Sequence, residues 1–482
     1  MNRPKRGAWV SVVLLVYLVG LLLYWPKILT ITDESSYVRQ AVAFAHGHST
    51  VAVYEPFSSV PTMLPPSDYP AGTSLFLTPF VALGGWQASA LGAFAALVVT
   101  IIVLQRWLRD EGRSPAFSLL VLCYPAVLVL SRIAMSDLPS AAVVTVGLWL
   151  FFRSDGGDGR LAFLSGLAAG ASLLFRETNA LLFVPFFAGA GLRRERRTWF
   201  LVAGVAVGIL LRLATNRAIQ GDWIYLRNSG YGFSARAIAQ NGVLYLLALL
   251  VFVPGGLFWV LTYQGRHRWE VISSVLLVLA FFLAYDYGGR ESGGLKRLVL
   301  GPRYFVPILP LMALAAGESI PRLWQRLSGG WHHARLVEGL TVAALGVCLI
   351  GLAFVVHPVL ASWGRDHLNL QSGLYGHTRA GGAVLTNMVA TGKYFNEIYG
   401  DRRVLSQGLV SAEQIPQVIT AHGSVQIAFV ERADSDFFIN EANSTRAYVE
   451  SVRRVCRIDR TFEAEYPGPE KLLVYDVRSC VR

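Results

Sequence analysis

The stretch of sequence that decides the fold runs from Ala8 to Trp25 as AWVSVVLLVYLVGLLLYW and continues from Pro26 to Tyr37 as PKILTITDESSY. Its first part is almost entirely apolar and approaches the length of about 20 residues that a helix needs to cross a bilayer. Two adjacent carboxylates, Asp33 and Glu34, follow directly after it. The stretch therefore predicts a membrane span whose exit carries a pair of acidic side chains.

Composition extends this interpretation to most of the chain. The 482 residues are 54% hydrophobic and only 15% charged, and the mean hydropathy is +0.46. An ordinary soluble protein carries about 25% charged residues. The sequence therefore predicts a polytopic α-helical membrane protein.

The formal net charge of +12 raises the question of nucleic-acid binding, and the distribution of the charge answers it. The basic residues gather in short connectors between apolar runs, at residues 3–6, 106–113, 193–197, 266–268 and 322–335. Such clusters are typical of cytoplasmic loops that follow the positive-inside rule. We therefore expect the lipid bilayer, and no nucleic acid, as the partner of this charge.

Apolar runs and basic connectors alternate along the chain, and their lengths and charges predict about eleven transmembrane helices. The predicted spans are residues 8–27, 84–105, 114–131, 137–152, 161–175, 179–192, 199–216, 243–262, 270–286, 303–317 and 336–356. An odd number of crossings puts the N-terminus in the cytoplasm and the C-terminus outside it. All basic connectors then lie on the cytoplasmic side, as the positive-inside rule requires.

The chain divides into two parts of different composition. Residues 1–356 hold the spans and form a predicted transmembrane catalytic domain, whose first outer loop covers residues 28–85. Residues 357–482 are mixed and charged, and they predict a small α/β domain outside the cytoplasm. The strand-like runs in this second part are residues 382–386, 425–430 and 471–477.

Two cysteines, Cys456 and Cys480, lie in the C-terminal part. An oxidising compartment permits a disulfide between them. The sequence does not give the distance between the two residues, which a disulfide requires to be short. The bonded and the free forms therefore both stay open.

Asp33 and Glu34 are the leading candidates for chemistry. A carboxylate at the membrane surface can act as a general base on a hydroxyl group when its surroundings tune its pKa and its position. The second carboxylate would then bind a divalent metal or hold the first in place. The alternative is structural, because acidic residues that follow a span also offset the charge of a neighbour such as Lys27.

Three arginines lie at predicted outer turns or span ends: Arg132, Arg176 and Arg303. Charges at membrane depth are costly and usually face a polar cavity or a partner. Each arginine alone is as compatible with a functional role as with a structural one, in which Arg132 and Arg176 snorkel to the interface or pair with Asp137 and Glu177. Together with the acidic first loop they favour a shared polar site, and guanidinium groups suit a phosphate at the bilayer surface.

Several short motifs follow one another in a recognisable order. They are Asp33-Glu34, Tyr69-Pro70-Ala71-Gly72, Ser136-Asp137-Leu138-Pro139, Arg176-Glu177-Thr178-Asn179 and Gly301-Pro302-Arg303-Tyr304. This order resembles that of the membrane-embedded GT-C glycosyltransferases, in the family 39-like group of protein O-mannosyltransferases and lipid A aminoarabinose transferases, over most of the membrane part. Two departures are visible: Ala71 replaces the second proline of the family's YPPG, and Glu177 follows Arg176 where a neutral residue or proline is commoner.

The resemblance implies a GT-C fold and a hexosyl or pentosyl transferase. Such an enzyme moves a sugar from polyprenyl phosphate to an acceptor hydroxyl of a cell-envelope lipid, polysaccharide or protein, with inversion at the sugar carbon. By the resemblance Asp33 is the general base and Glu34 its neighbour in the motif. A divalent metal is optional, and the enzyme would lie in the bacterial inner (plasma) membrane and act on its outer face.

The other candidate residues follow from their charge and their predicted side of the membrane. Those assigned to the donor phosphate are Arg303, Lys296, Arg297 and Arg176. Further candidate site residues are Tyr69, Arg132, Asp137 and Tyr304. The sequence contains no Gly-rich P-loop, no zinc-spaced Cys/His cluster and no serine-centred nucleophile elbow, so it supplies no rival motif from those enzyme classes.

Two other classes of protein fit parts of this pattern. A transporter or flippase for a lipid-linked or anionic substrate would also place charges along membrane helices, but near the bilayer midplane and in broken or repeated helices. The notable charges of this chain gather at one predicted face, which favours an enzyme. A ligand-binding or assembly protein would instead use the C-terminal part, with Asp33 and Glu34 as structural residues.

Overall fold

The computed structural model describes residues 8–26, 32–226, 232–286, 301–328, 353–358, 376–387, 402–432, 445–466 and 470–480, with a few isolated positions between them. Most of the described residues are helical, which confirms the predicted α-helical class. The predicted number of eleven transmembrane helices stays a prediction.

The helices up to residue 328 are α1 (Ala8–Leu23), α2 (Thr32–Ala45), α3 (Gly72–Gly84), α4 (Ser89–Asp110), α5 (Pro125–Leu130), α6 (Asp137–Arg153), α7 (Gly159–Ser172), α8 (Ala180–Leu192), α9 (Arg197–Gln220), α10 (Ala235–Leu247), α11 (Gly256–Thr262), α12 (Arg268–Ala284) and α13 (Leu309–Ser328). The C-terminal part adds α14 (Ile415–His422) and α15 (Thr445–Val455). The strands are β1 (Val51–Val53), β2 (Thr62–Leu64), β3 (Ala383–Thr386), β4 (Arg403–Ser406), β5 (Val425–Arg432), β6 (Cys456–Tyr466) and β7 (Glu470–Cys480).

The chain divides into two compact units. The helical unit comprises Met1–Trp25, Tyr69–Leu83 and Ala88–Pro358, and the mixed unit comprises Pro26–Asp68, Gly84–Gln87 and Val359–Arg482. Much of the predicted first outer loop therefore groups with the C-terminal part of the chain. The predicted assignment of catalysis to residues 1–356 stays a prediction.

Within the described residues, four helical segments are long and apolar enough to cross a membrane: Trp86–Asp110, Arg197–Gln220, Ala235–Phe252 and Pro302–Arg326. Shorter apolar helices are Val10–Leu23, Gly72–Gly84 and Glu177–Leu192. Gly72–Gly84 falls inside the stretch that the sequence analysis assigns to the first outer loop. Length and composition thus support a membrane protein with several spans, in agreement with the predicted class.

Proline and glycine divide some predicted spans into shorter elements. The span predicted at 243–262 consists of α10, a π-helical segment at Ala248–Phe252 and α11. Pro254 and Gly255 separate the last two, and Gly255 has a φ of +68°, which favours glycine. The span predicted at 114–131 begins as a 3-10 helix, Pro115–Cys123, before α5 starts. An apolar run therefore predicts burial here better than it predicts one continuous α-helix.

Helices α7 and α9 pack with their backbones in close approach. An added Cβ at Gly166 of α7 would lie 2.1 Å from the carbonyl oxygen of Leu201. In the other direction, a Cβ at Gly204 of α9 would lie 2.1 Å from the carbonyl oxygen of Phe163. Small residues at the contact are the usual means by which membrane helices pack closely. This contact fixes α9 against the helix that leads into Arg176.

The connectors that the topology assigns to the cytoplasm meet in one ion-pair network around Asp155. Arg197 Nη1 lies 2.5 Å from Oδ1 of Asp155, His267 Nε2 lies 2.8 Å from its Oδ2, and Arg266 also pairs with it. Arg266 further donates to Glu111 at 3.2 Å. Burial alone would raise the pKa of Asp155, but hydrogen bonds from His267 and Arg266 and the nearby positive charges lower it well below its ordinary value. Asp155 thus joins two basic connectors directly, and Arg266 links a third to them through Glu111.

The mixed unit contains a five-stranded sheet in the order β4-β3-β5-β7-β6. Strand β3 runs parallel to β4 and β5, and β7 runs antiparallel to β5 and β6. Residues such as Leu385, Ile427 and Phe429 are buried beneath α14 and α15 in one hydrophobic core. Cys456 and Cys480 pair across β6 and β7 and form a disulfide, so the structure has the bonded form of the two that the sequence left open.

A segment of the first outer loop is attached to this sheet through Tyr54. The guanidinium of Arg403 lies 4.9 Å from the Tyr54 ring centroid, within reach of a cation–π contact. His422 also contacts this ring edge-on, with centroids 6.4 Å apart. Nδ1 of His422 lies 3.1 Å from Arg403 Nη1 and its Nε2 lies 3.0 Å from the carbonyl oxygen of Glu55. Because Arg403 can only donate, Nδ1 accepts and Nε2 carries the proton given to Glu55.

Candidate functional site

The turn at residues 173–179, here called the Arg176 turn, connects α7 to α8 and is fastened at its end by Asn179. The Asn179 side chain is buried, and its amide nitrogen donates to the carbonyl oxygen of Ser172 at 2.9 Å. Its amide oxygen accepts a hydrogen bond of 2.8 Å from Ser140 on α6. The turn is therefore closed on itself and joined to the first part of α6.

The guanidinium of Arg176 is held by two neighbouring residues at the start of α6. Its Nε donates to the Ser136 hydroxyl at 2.9 Å, and its Nη2 lies 2.8 Å from Oδ1 of Asp137. Asp137 is completely buried in the first turn of α6, where the helix dipole favours a negative charge. A buried carboxylate requires such a partner, because an unpaired one carries a large desolvation cost. The pair therefore fixes the orientation of Arg176.

Tyr304 brings Arg176 and Arg303 together. The guanidinium carbon of each arginine lies 5.3 Å from the centroid of the Tyr304 ring, inside the distance of about 6 Å at which cation–π attraction acts. Phe282 of α12 stacks on the same ring, with centroids 4.7 Å apart and planes inclined by 14°. Arg303 is 4% exposed. We call Asp137, Arg176, Arg303 and Tyr304 the arginine cluster.

The backbone that carries Arg303 and Tyr304 is fixed as well. These residues lie in a 3-10 helix, Pro302–Ile308, that begins with proline in a position where no amide donor is needed. The hydroxyl of Tyr124 donates to the carbonyl oxygen of Pro302 at 2.8 Å. The starts of these helices therefore place the guanidinium groups of Arg176 and Arg303 at the Tyr304 ring and that of Arg176 against Asp137. Guanidinium groups in such surroundings suit a phosphate or a carboxylate ligand.

Gly72 explains part of the tyrosine-proline-alanine-glycine motif. Its backbone amide donates to the carbonyl oxygen of Leu174 in the Arg176 turn, at 2.8 Å. A Cβ at Gly72 would lie only 2.6 Å from that oxygen. Glycine is thus required for the start of α3 to approach this backbone. Tyr69, three residues earlier, is half-buried just before α3.

Arg132 connects the end of α1 to the backbone at His357. Its Nη2 donates to the carbonyl oxygen of Tyr24 at the end of α1, at 2.7 Å. Its Nη1 donates to the carbonyl oxygen of His357 at 3.0 Å. Arg132 is 3% exposed, so these bonds satisfy a buried charge. These bonds to backbone carbonyls are neither the snorkelling nor the ion pair that the sequence left open, and the place of Arg132 in the site stays a prediction.

The acidic pair lies in the first turn of α2, in the mixed unit. Asp33 is half-buried, whereas Glu34 is 4% exposed. Acidic side chains at this end of a helix are stabilised by its dipole. Lys296 and Arg297 lie outside the described residues. Among the described residues, no group of three His, Cys, Asp or Glu side chains is placed to hold a metal ion.

Some residues around the arginine cluster are not marked by their local sequence. Ser136 and Phe282 contact Arg176 and Tyr304 through space, and only the structure brings them together. Arg212 is different, because it is a charged residue inside the span predicted at 199–216. A charged residue inside a membrane span is energetically costly and is therefore a candidate for function. The sequence alone thus marks Arg212.

The described residues combine apolar helices, several of them with arginines at their ends, and a mixed α/β unit. No protein-family model matches this chain, and no curated protein sequence matches it. The chain nevertheless shares its fold with ArnT from Cupriavidus metallidurans, the lipid A aminoarabinose transferase. The apo structure of ArnT matches with a TM-score of 0.60 at 15% identity, covering 97% of this chain and 98% of ArnT.

A second ArnT structure, bound to undecaprenyl phosphate, matches with a TM-score of 0.63 at 14% identity and covers 97% of both chains. The likeness extends over the helices and the C-terminal part together. It shows that this chain has the GT-C fold, and it confirms the resemblance drawn from the order of the sequence motifs.

Proposed function

We propose that this chain is an integral-membrane glycosyltransferase that moves a sugar from a polyprenyl-phosphate donor to an acceptor hydroxyl on the outer face of the bacterial inner membrane. The observation that carries the proposal is the arginine cluster, in which Asp137 and Tyr304 hold the guanidinium groups of Arg176 and Arg303. The GT-C fold supports it, and ArnT of the same fold is bound to undecaprenyl phosphate in its solved structure.

In the proposed reaction, the acceptor oxygen attacks the anomeric carbon of the sugar from the face opposite the phosphate. The bond from that carbon to the phosphate oxygen breaks, and the bonding electrons leave with polyprenyl phosphate. The configuration at the sugar carbon therefore inverts. Asp33 takes the proton of the acceptor hydroxyl as general base, and Glu34 holds the neighbouring position in the first turn of α2.

The guanidinium groups would stabilise the leaving phosphate. Negative charge grows on the phosphate oxygens as the bond breaks, and fixed donors lower the energy of that charge without reorganising. Arg303 and Arg176 are the described residues suited to this role, and Lys296 and Arg297 are further candidates by sequence. The cations supply the charge stabilisation that a metal would otherwise give, so a divalent metal is optional in this mechanism.

Two features support the proposed orientation. The residues of the arginine cluster lie at helix ends predicted to face outward, whereas the network around Asp155 joins connectors predicted to face the cytoplasm. The Cys456–Cys480 disulfide fits an oxidising compartment for the C-terminal domain. We therefore propose that residues 357–482 form an extracytoplasmic domain and that the donor is met on that side.

The test is turnover by the purified full-length protein with polyprenyl-phosphate hexoses and pentoses and with cell-envelope acceptors. Asp33→Asn should lower kcat by about 10²–10⁴-fold, as expected for loss of a general base. Arg303→Ala should lower kcat/KM by about 10²–10³-fold, as expected for loss of a charge-stabilising donor. Asp222→Asn, an exposed carboxylate after α9, is the matched control and should keep full activity.

The outcomes separate the proposal from its rivals. Full activity of Asp33→Asn would remove this residue as the base but leave the transferase. Absence of turnover with every lipid-linked sugar, together with transport of such a lipid across vesicle membranes, would replace the transferase with a flippase.

A further inference from the structure

Arg212 is a charged residue in the middle of an apolar helix. It lies in α9, whose segment Arg197–Gln220 is long and apolar enough to cross a membrane. It is 8% exposed and shares the buried row of α9 with Gly208, one turn earlier, and Gly204, two turns earlier. This row faces α7, so Arg212 points into the protein and not toward lipid. A buried charge at this depth requires partners.

Both partners of Arg212 belong to the Arg176 turn. Its Nη1 donates to the carbonyl oxygen of Leu173, directly after α7, and its Nη2 donates to the carboxylate of Glu177. Leu173 precedes Arg176 and Glu177 follows it, so one guanidinium ties the turn on both sides of Arg176. The carbonyl at the end of α7 has no partner inside its own helix, and a cation there is favoured by the helix dipole.

A merely structural surface pair is the alternative. Ion pairs between exposed side chains contribute little, and the Glu177 side chain is 45% exposed. The Arg212 side chain of the same pair is only 10% exposed, and its second bond reaches a backbone carbonyl. The contact therefore restrains the backbone of the turn and is not a loose pair of side chains.

The Arg176 turn is thus held from three helices. Gly72 of α3 donates to its Leu174 carbonyl, Ser140 of α6 donates to Asn179, and Arg212 of α9 donates to Leu173 and Glu177. The first two fix the middle and the end of the turn. Among the described contacts, the one with Arg212 restrains the residue immediately after Arg176 from the side of α9.

We infer that Arg212 and Glu177 are positioning residues for Arg176, and that they set the geometry in which its guanidinium meets Asp137 and a phosphate-bearing ligand. The inference rests on the proposed function for the identity of the ligand. Glu177 stands where the resemblance leads one to expect a neutral residue or proline, and Arg212 supplies the charge that makes a glutamate stable there. The pair therefore accommodates a glutamate at this departure from the expected pattern.

The first experiment measures binding of undecaprenyl phosphate to the full-length protein in detergent micelles. Arg212→Gln and Glu177→Ala should each weaken binding by about 10-fold, the scale of one charge-assisted hydrogen bond. Glu177→Gln should bind nearly as the wild type does, because its amide oxygen still accepts from Arg212. Arg217→Gln is the matched control, since Arg217 lies on the same helix and bonds only to the carbonyl of Gly221 in the described contacts.

The second experiment needs no ligand. A double-mutant cycle with Arg176→Gln and Asp137→Asn, read as shifts of apparent Tm, measures the coupling of that ion pair. The coupling should be present in the wild-type background and lost in the Glu177→Ala background, which leaves every buried residue in place. Coupling of equal size in both backgrounds would overturn the inference.

The two experiments separate the inference from the proposed function. Failure of the wild type to bind undecaprenyl phosphate would contradict the proposed function, and the Tm cycle would still decide the positioning role. Equal binding by wild type, Glu177→Ala and Arg212→Gln would contradict the positioning role and leave the proposed function intact.

Discussion

The backbone amide of Gly72 donates a hydrogen bond to the carbonyl oxygen of Leu174, with 2.8 Å between nitrogen and oxygen. This bond joins two motifs that lie about a hundred residues apart in the sequence. The start of α3 is thereby held against the turn that presents Arg176. The glycine of the tyrosine-proline-alanine-glycine motif is thus explained by packing, and its effect on function would be exerted through Arg176.

Gly72→Ala should destabilise the protein and weaken the proposed activity. The added Cβ would lie 2.6 Å from the Leu174 oxygen and 2.7 Å from its carbonyl carbon. Backbone must move to relieve this contact, and such overpacking typically costs about 1–3 kcal/mol. The expected result is a lower apparent Tm in detergent and a raised KM for the lipid-linked donor.

Gly242→Ala is the matched control for this substitution. Gly242 lies inside α10, and a Cβ added there meets no described atom within 4 Å. Alanine is favoured over glycine inside a helix by about 0.5–1 kcal/mol. The control should therefore raise the apparent Tm slightly or leave it unchanged. A lower apparent Tm in both variants would show that an added methyl group destabilises the protein at either position. The specific role given to Gly72 would then be contradicted.

Arg176→Lys should lower the proposed activity nearly as far as Arg176→Ala. The guanidinium uses Nε toward Ser136 and Nη2 toward Asp137 while it lies against the Tyr304 ring. A lysine ammonium keeps the charge but cannot reproduce this forked geometry. We expect kcat/KM to fall by about 10²-fold, on the scale of one lost stabilising donor.

Arg160→Lys is the control for charge-conserving replacement. Arg160 is exposed at the opposite end of α7 from the Arg176 turn. Its replacement should leave kcat/KM unchanged. Wild-type activity of Arg176→Lys would show that only a positive charge is needed at this position and would contradict the role given to the guanidinium fork.

The sequence predicted the parts of the fold that depend on local pattern. Apolar runs correctly located α4, α6 and α9, because a long apolar run of sequence is typical of a helix that crosses a bilayer. The alternating runs at 425–430 and 471–477 lie within strands β5 and β7. Local pattern failed where a backbone feature overrides it, as at Gly255, which divides one apolar run into α10 and α11.

The members of the arginine cluster are among the residues that the sequence singles out, but their arrangement could not be predicted. Charge in an apolar setting identified Arg176, Asp137 and Arg303, since such residues are costly and demand partners. The ring of Tyr304 between two arginines and the stacking of Phe282 depend on contacts between distant helices. No spacing within the sequence encodes those contacts. For Arg132, charge alone gave no distinction between a ligand-binding and a structural arginine, and its bonds to two backbone carbonyls were not predictable from the sequence.

Asp155→Asn should destabilise the protein at neutral pH. The difference in stability from the wild type should disappear at acidic pH. The folded-state pKa of Asp155 is lowered: burial opposes the charge, but hydrogen bonds from His267 and Arg266 outweigh it. A carboxylate with a lowered pKa contributes stability that is complete above its unfolded pKa of about 4 and is lost as pH falls toward the folded value. Allowing for its partial exposure, we expect the variant to lose about 1–2 kcal/mol at pH 7.

The measurement is apparent Tm for wild type and Asp155→Asn across pH. The difference between them should be constant from about pH 7 to pH 5 and should shrink below about pH 4. Asp158→Asn is the control, because Asp158 caps α7 by accepting from the amide of Arg160 at 2.9 Å, and asparagine caps equally well. A difference that closes already near pH 6 would show that Asp155 is not the titrating group.

The Cys456–Cys480 disulfide provides a test of topology in the living cell. The two residues pair across β6 and β7 near the C-terminal end of the chain. Disulfides persist in the periplasm and are reduced in the cytoplasm. If the mixed unit is extracytoplasmic, alkylation of the protein in cells before lysis should leave both cysteines unmodified, and alkylation after reduction should modify both. The double variant Cys456→Ser/Cys480→Ser should lose about 3 kcal/mol of stability for a loop of this length. Recovery of both cysteines as alkylated thiols without reduction would place this unit in the cytoplasm, reverse the predicted topology and remove the outer face as the site of transfer.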